Sequence, residues 1–469
     1  MTTGYDTFAG ISPSASALPF ALFVTTAIGL SFLGGVDINL LIAVGIVAII
    51  GGSVLANDRQ SYWNTIFTFF GSKTTVTASL LWLIVGVYGN ILKEGHIVEG
   101  LVWAAAILDL NGTEFTLVTF LFSGLFAIST GSGFGTISAM SLTLFPAGIA
   151  VGGDAALLSG AILSGAALGD SISPISDTAV IAATTQQYEE NERVADVGGS
   201  VRHRLPIVLW AFALTVVAFC FAGMWSTDTS MAEIRTHSDD YKGLFLLLPT
   251  IVVMTLALRK VNIFVSLFVG IVVAVAIGLS MHLFSTSNLV NFEDGHVGGA
   301  VVEGLGSMAN ICLLLMVVVS LSGLIIRSGA MKQGITWVNT HTNPSQRKSE
   351  LIIFVLVTIA GVLIAAVNTI ANICIAPFVN DIGRQQDIHP YRRSAILATV
   401  ICTFPFILPY GGCLLLLMKG VEASGTGTEL EAIDMFFTAF YPWILLICCL
   451  TTCFIHHKNK YESTNETDY

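Results

Sequence analysis

Apolar stretches long enough to cross a bilayer recur from one end of this chain to the other, and they leave it few ways to fold. In hydrocarbon every backbone N–H and C=O must be satisfied within the protein, so a spanning segment is a helix or a strand of a closed barrel. Stretches of about twenty apolar residues match a helix and are roughly twice what a barrel strand needs. Composition agrees: 54% of the 469 residues are hydrophobic and 11% charged, with mean hydropathy +0.80, whereas soluble domains are about 25% charged. No loop exceeds about 25 residues, too few for a soluble domain. The expected fold class is an all-α polytopic membrane protein, with membrane lipid as a partner and no nucleic acid. The net charge of −11 points to no other partner, because the acids cluster in particular loops. Met1–Ser16 has no Lys or Arg and lacks the basic flank of a cleavable signal peptide. The eight cysteines lie mostly in apolar segments without metal-ligand spacing and read as small buried hydrophobes.

The chain resembles itself. Gly89, Lys93, Gly95, Gly100 and Trp103 recur at the same offsets as Gly323, Arg327, Gly329, Gly334 and Trp337, and 323 − 89 = 234 is half the length. This predicts two repeats, 1–225 and 243–469. Basic loops (Arg59 and Lys73; Arg193, Arg202 and Arg204; Arg259-Lys260; Arg327 to Lys348; Arg384, Arg392 and Arg393; Lys458 and Lys460) alternate with acidic ones (Glu94–Glu114, Asp228–Asp240, Glu293–Glu303, Glu422–Asp434). Placing the basic set in the cytoplasm predicts about ten crossings, at 17–35, 38–56, 76–93, 155–184, 206–224, 243–258, 261–284, 309–327, 394–421 and 436–456. Both termini are then cytoplasmic, in a multi-pass protein of the cell (inner) membrane.

Two apolar segments, 115–150 and 350–383, lie between loops of the same kind. Each is predicted to be a re-entrant hairpin, the alternative being two ordinary spans joined by a short loop. Their midpoints are polar, with Thr130, Ser132 and Thr136 in the first and Asn368, Thr369 and Asn372 in the second. Such turns survive at membrane depth only when buried in protein or facing a wet cavity. With hairpins, the first half crosses five times, so the second half is inverted relative to the first.

The chemistry concentrates in 155–184, where Gly169-Asp170-Ser171-Ile172-Ser173-Pro174-Ile175-Ser176-Asp177-Thr178 interrupts an otherwise apolar run. An Asp at a helix centre costs about 2.5–3.5 kcal/mol in the membrane. Pro174 removes a backbone hydrogen bond and clashes with the preceding turn, so the helix should break near Asp170–Ser176, freeing carbonyls at mid-membrane. A buried carboxylate must bind a cation or take up a proton. Asp170 and Asp177 are therefore the candidate ion ligands, with Ser171, Ser173, Ser176 and Thr178 adding hydroxyls. The blander reading, in which the serines only satisfy the broken backbone, weighs most at Ser173 and Thr178. The matching element, 394–421, carries Pro405, Pro409, Gly411 and Gly412 but no acid. With Thr403 and Tyr410 it is expected to break as well, and to face Asn368, Thr369 and Asn372 in a second cation site or a substrate site. A kink at the prolines is its simpler reading. Lys93, Arg327 and Trp337 read as interfacial anchors, and the nine histidines show no ligand pairing.

The Gly169–Thr178 run resembles the signature of the NhaC family of sodium/proton antiporters, roughly Gly-Asp-x-x-Ser-Pro-x-Ser-Asp-Thr. Ile181–Gln186, Asn368-Thr369, Arg392-Arg393-Ser394 and Leu408-Pro409-Tyr410-Gly411 are similar to an NhaC-like branch. The resemblance implies an ion-transporter fold with inverted repeats, re-entrant hairpins and discontinuous helices at its centre. It also implies Na+ and H+ as transported ions, with Asp170 and Asp177 carried over by position. Ser171, often Lys or Asn in the family, and the Pro409-Tyr410-Gly411 segment depart from it, and they bear on substrate more than on fold. The expectation is a secondary antiporter, not an enzyme, with no cofactor and a homodimer as one assembly to consider. The alternative is Na+-coupled transport of an amino acid or small organic anion. No nucleotide-binding loop is present to suggest a primary pump.

Overall fold

The computed structural model describes residues 9–32, 37–188, 193–224, 241–293, 296–329 and 346–454. Among these, ten helical segments are long and apolar enough to cross a membrane, and a pair bent by 50° brings the number to eleven. The first half runs α1 (Pro13–Phe32), α2 (Ile38–Val54), α3 (Arg59–Phe70), α4 (Lys73–Glu94), α5 (Ile97–Ile107), α6 (Gly112–Thr130), α7 (Gly133–Ala150), α8 (Ala155–Ile172), α9 (Asp177–Thr184) and α10 (Val197–Gly223). After a 3-10 turn at Tyr241–Leu246, the second half opens with α11 (Leu247–Leu258), α12 (Ile263–Ser280) and α13 (Thr286–Leu289). A two-stranded hairpin, β1 (Asn291–Glu293) and β2 (His296–Gly298), pairs Phe292 with Val297. Then come α14 (Ala300–Arg327), α15 (Gln346–Leu363), α16 (Asn368–Arg384), α17 (Pro390–Ile401), α18 (Phe404–Ile407), α19 (Gly412–Ser424), α20 (Ala432–Thr438) and α21 (Phe440–Phe454).

Several acids between the apolar runs start helices. Asp37, Asp58, Asp154 and Asp196 accept hydrogen bonds from the first-turn amides of α2, α3, α8 and α10. Asn111 and Glu114 form a reciprocal capping box on α6. The predicted crossings appear as helices with different ends, except that α2 at 17 residues falls short of the counted spans, whereas α6 and α7 are each long and apolar enough to be among them. The span expected at 76–93 is continued backwards by α3, and the acidic loop 94–114 contains α5. The span expected at 206–224 begins at Val197, which draws Arg202 and Arg204 into the helix. Gly89–Lys93 closes α4 and Gly323–Arg327 closes α14, whereas Gly334 and Trp337 lie outside the described residues.

Burial orders these elements. The spans 155–184 and 390–424 are 83% and 94% buried, against 28% for 13–30, 197–223 and 263–280. Outward faces carry exposed Val47, Trp210 and Phe268, as lipid contact requires. The helices at 13–30, 197–223 and 263–280 thus form the rim, and the two interrupted ones lie at the centre with α7 and α14, which are 83% and 72% buried. At the heart of the packing, α14 runs antiparallel to α3 and α4: Cys312 Sγ donates to the Ser79 carbonyl (3.4 Å) and Ser320 Oγ reaches that of Ile66 (3.4 Å).

Candidate functional site

Pro174 acts on the chain as expected. Ser173, the residue before it, is extended (φ −63°, ψ 126°), and α8 stops there with a last bond from the Ser173 amide to the Gly169 carbonyl (2.9 Å). The chain restarts as α9 after Ser176, which stands at the N-cap without capping. Its hydroxyl donates instead to Asp170 Oδ1 (2.5 Å). The helix forgoes a side-chain cap, and the carboxylate gains a donor.

Asp170 is 7% exposed and held by three neutral donors. Besides Ser176, Asn368 Nδ2 donates to Oδ2 (2.7 Å), and Cys402 Sγ approaches the same oxygen at 3.6 Å. Asn368 opens α16 and Cys402 closes α17, so three elements remote in sequence meet on one carboxylate. One helical turn on, Asn372 Nδ2 donates to the Thr178 carbonyl (2.9 Å). Having spent their N–H groups in this way, Asn368 and Asn372 each keep a buried Oδ1 with no donor among the described residues. A carboxylate with the Asn368 amide oxygen beside it, at the end of an interrupted helix and one turn from that of Asn372, suits a small hard cation.

The second interrupted helix is broken twice, at Cys402–Thr403 and at Leu408–Gly411. Its last segment is started by the end of α15 and the link to α16: the Gly412 amide donates to the Ala365 carbonyl (3.2 Å), and the Tyr410 hydroxyl to that of Val362 (2.9 Å). The tip of the α6–α7 pair reaches the same place. Gly131 turns with φ +66°, and a Cβ there would sit 2.7 Å from Ile175. Gly169 lets α8 lie against α6, where a Cβ would meet that of Ala127 at 2.1 Å.

The remaining expected residues divide. Ser173 Oγ ties the break to the Ile128 carbonyl (2.8 Å), and Ser171 bonds to the Leu168 carbonyl and the Tyr441 hydroxyl (2.8 and 2.7 Å). Thr130, Thr136 and Thr403 bond back to their own helices, and Ser132 caps α7. These hydroxyls shape the tips and do not touch the carboxylate. Thr369 is half-buried beside Asn368. Asn368, expected at a second site, bonds to Asp170, and Asn372 bonds to the Thr178 carbonyl. Asp177 stands apart from those contacts: it is exposed at the start of α9, as are Pro174 in the break before it and Val180 one turn on, and it lies within electrostatic reach of Asp170. Cys402, Tyr441 and Arg204 escaped the sequence reading. Cys402 and Tyr441 sit in apolar runs that look like core, and Arg204 was counted among the loop charges.

Beyond α9, residues 186–188 strap the first half to the second. Gln186 Nε2 donates to the Ala376 carbonyl (3.3 Å) and the Gln187 amide to Asn380 Oδ1 (2.8 Å). The buried Arg393 clasps the Gln187 and Asn380 carbonyls (2.8 and 3.1 Å). At the next loop the Tyr391 hydroxyl donates to Asp196 Oδ2 (2.5 Å) and, with the Gly199 amide, holds that carboxyl below its usual range.

A polytopic helical bundle with interrupted helices crossing at a buried carboxylate is the build of a secondary transporter, and transporters are what its relatives are. The model of the Na+/H+ antiporter family matches residues 7–224 of the chain. The chain is 26% identical over 341 residues to the malate-2H(+)/Na(+)-lactate antiporter of Bacillus subtilis (strain 168), covering 68% of this chain and 70% of that one. It is 28% identical over 289 residues to the Na(+)/H(+) antiporter NhaC of the same organism. Against NhaC of Alkalihalophilus pseudofirmus the identity is 24% over 277 residues. The matches span 60% and 57% of those two NhaC proteins, and 56% of this chain in each case.

Proposed function

We propose that this chain exchanges Na+ for H+ across the membrane by alternating access, with Asp170 as the carboxylate for which the two cations compete. The observation that carries the reading is the set of partners around Asp170, which are all neutral, with the two donor-free amide oxygens alongside. A proton satisfies the carboxyl alone. Na+ displaces it by drawing on the carboxylate together with Asn368 Oδ1, Asn372 Oδ1 and carbonyls at the break. One seat that holds either ion but not both is enough for exchange, provided it opens to one side at a time. Asp177 serves as the approach to that seat, because an exposed carboxylate at this depth requires water on its face.

The hairpins serve as the two closures. At 1.5 Å per residue α10 is about 40 Å long and α6 about 28 Å. Thr113, at the outer end of α6, bonds to the Gly223 carbonyl at the end of α10 (3.2 Å), so the α6–α7 tip stops about 12 Å short of the far end of α10. The α15–α16 pair approaches Asp170 from the opposite end, with its far part strapped to Gln187. These relations support re-entrant hairpins entering from opposite sides, and the antiparallel α4 and α14 support inverted repeats. The positive-inside bias sets the strap, and both termini, on the cytoplasmic face of the cell membrane.

In proteoliposomes loaded with a pH-sensitive dye, Na+ added alone should dissipate an imposed proton gradient, and Asp170→Asn should abolish the response. A response that survives Asp170→Asn removes the site, and no response until an organic solute is added removes simple exchange. A second reading, coupling of the same seat to a small organic anion, is favoured by a buried arginine beside it and by the relative whose name carries malate and lactate.

A further inference from the structure

Arg204 is fully buried, and none of its three guanidinium nitrogens has a hydrogen-bond acceptor among the described residues. The other buried arginines differ. Arg392 pairs with Glu350 (2.9 Å), and Arg393 holds the Gln187 and Asn380 carbonyls. A guanidinium offers five N–H donors and does not give up its charge, so leaving it without acceptors is among the costliest arrangements a protein interior can hold.

Its position is central. α10 runs antiparallel to α6, with Thr113 at Gly223 and Phe120 against both Phe212 and Phe219. That register sets residue 204 level with the α6–α7 tip. The charge is in electrostatic contact with Asp170, Cys402 and Tyr441. Asp170 does not take it as a hydrogen-bonded partner, because both carboxylate oxygens are engaged by Ser176, Asn368 and Cys402.

We infer that Arg204 anchors the carboxylate of a small monocarboxylate carried together with the cation at Asp170. The inference rests on Asp170 being the cation seat. Charge counting supplies the coupling. With Asp170 ionised and no ligand, the aspartate and the arginine cancel. With Na+ or a proton on Asp170, one positive charge is left over, and a single carboxylate removes it. Empty and doubly loaded sites are neutral, whereas a half-loaded site carries one charge through a low-dielectric interior and crosses more slowly, so the anion strengthens an exchange that the cation alone still drives. The planar guanidinium fork matches a carboxylate in two parallel hydrogen bonds, and one fork suits one carboxylate. Exchanging a sodium–anion pair for a proton–anion pair then gives the same net cation exchange.

The test uses the purified full-length chain in lipid nanodiscs. Na+ binding is titrated by thermal shift with acetate or lactate present, and with chloride or sulfate as controls at constant ionic strength. The expected result is that acetate or lactate tightens the apparent Na+ affinity by about tenfold, that the controls do not, and that Arg204→Gln and Arg204→Lys remove the tightening. A Na+ shift that persists in either variant reports that it is folded. Should neither variant fold, the anion dependence of the unaltered chain decides. Na+ affinity unchanged by monocarboxylates, or tightened equally by chloride, overturns the inference while leaving the cation seat standing. No Na+ shift under any condition counts against the Asp170 reading instead.

Discussion

At the scale of single residues, Asn368 and Asp177 separate what spacing can indicate from what it cannot. Asn368 donates to the carboxylate through Nδ2 and presents Oδ1 to the same space. Asn368→Ala removes both, and a hydrogen bond to a charged group contributes about 1.5–3 kcal/mol, so apparent Na+ affinity should fall by roughly tenfold to a hundredfold. Dye-based titration of Na+ concentration checks this. Asp177→Asn should act more mildly than Asp170→Asn, slowing transport at low Na+ and recovering at high Na+, because it alters the approach and leaves the seat intact. Equal and complete loss in both variants would mean that the exposed acid is a ligand after all. A motif reports that two acids stand seven positions apart. Whether they share a seat depends on the turn the proline imposes, and that turn sends one inward and one outward.

Among elements, the breaks were legible because proline and glycine act locally. Pro174 ends α8 through its own missing donor and the bias it puts on Ser173, effects that no tertiary contact needs to supply. The partners of the breaks were not legible. That Gly412 is capped by Ala365, or that Ser176 abandons its capping role for Asp170, depends on packing between segments hundreds of residues apart. Arg204 was misplaced for a related reason: helix α10 begins at Asp196, well before the apolar run, so a charge near the start of that run looks like loop. The tip geometry makes a further prediction. Gly131→Ala forces a left-handed backbone, at about 1–2 kcal/mol, and drives a methyl toward Ile175. Na+-dependent flux should drop sharply with a modest fall in melting temperature, measured on the same preparation. The start of α17 supplies a pH dependence. His389 Nδ1 accepts the Tyr391 amide hydrogen (3.1 Å), and burial, with Arg393 nearby and Tyr188 and Tyr391 against the ring, lowers its pKa to about 4 from 6.5. The unfolded chain takes up this proton first, so the contribution is whole above pH 6.5 and is lost as pH falls from 6.5 toward 4. His389→Asn keeps a capping acceptor and should flatten the fall in thermal stability across that window.

For the whole molecule, the decisive relation is between the strap and the two interrupted helices. Gln187 and Asn380 belong to different halves of the chain yet are joined by a 2.8 Å hydrogen bond. Cysteines at these two positions, in a background with the native cysteines replaced, should cross-link under oxidant. Transport should stop when the bond forms and return on reduction. Uninhibited transport in a fully cross-linked sample would show that this side need not open. The class of fold followed from hydrophobic runs, because these are a property of sequence spacing. The meeting of three elements on one carboxylate is a property of the folded volume and had no linear trace. The unequal reach of the α6–α7 tip has an electrical consequence. A seat about 12 Å from one face of a body about 40 Å deep lies roughly 30% of the way across, so a monovalent ion arriving from the far face traverses about 70% of the membrane voltage, near 1.6 kcal/mol per 100 mV, against about 0.7 from the near one. Even a one-for-one exchange that moves no net current would then bind sodium with a voltage-dependent affinity, about twice as steep from one compartment as from the other.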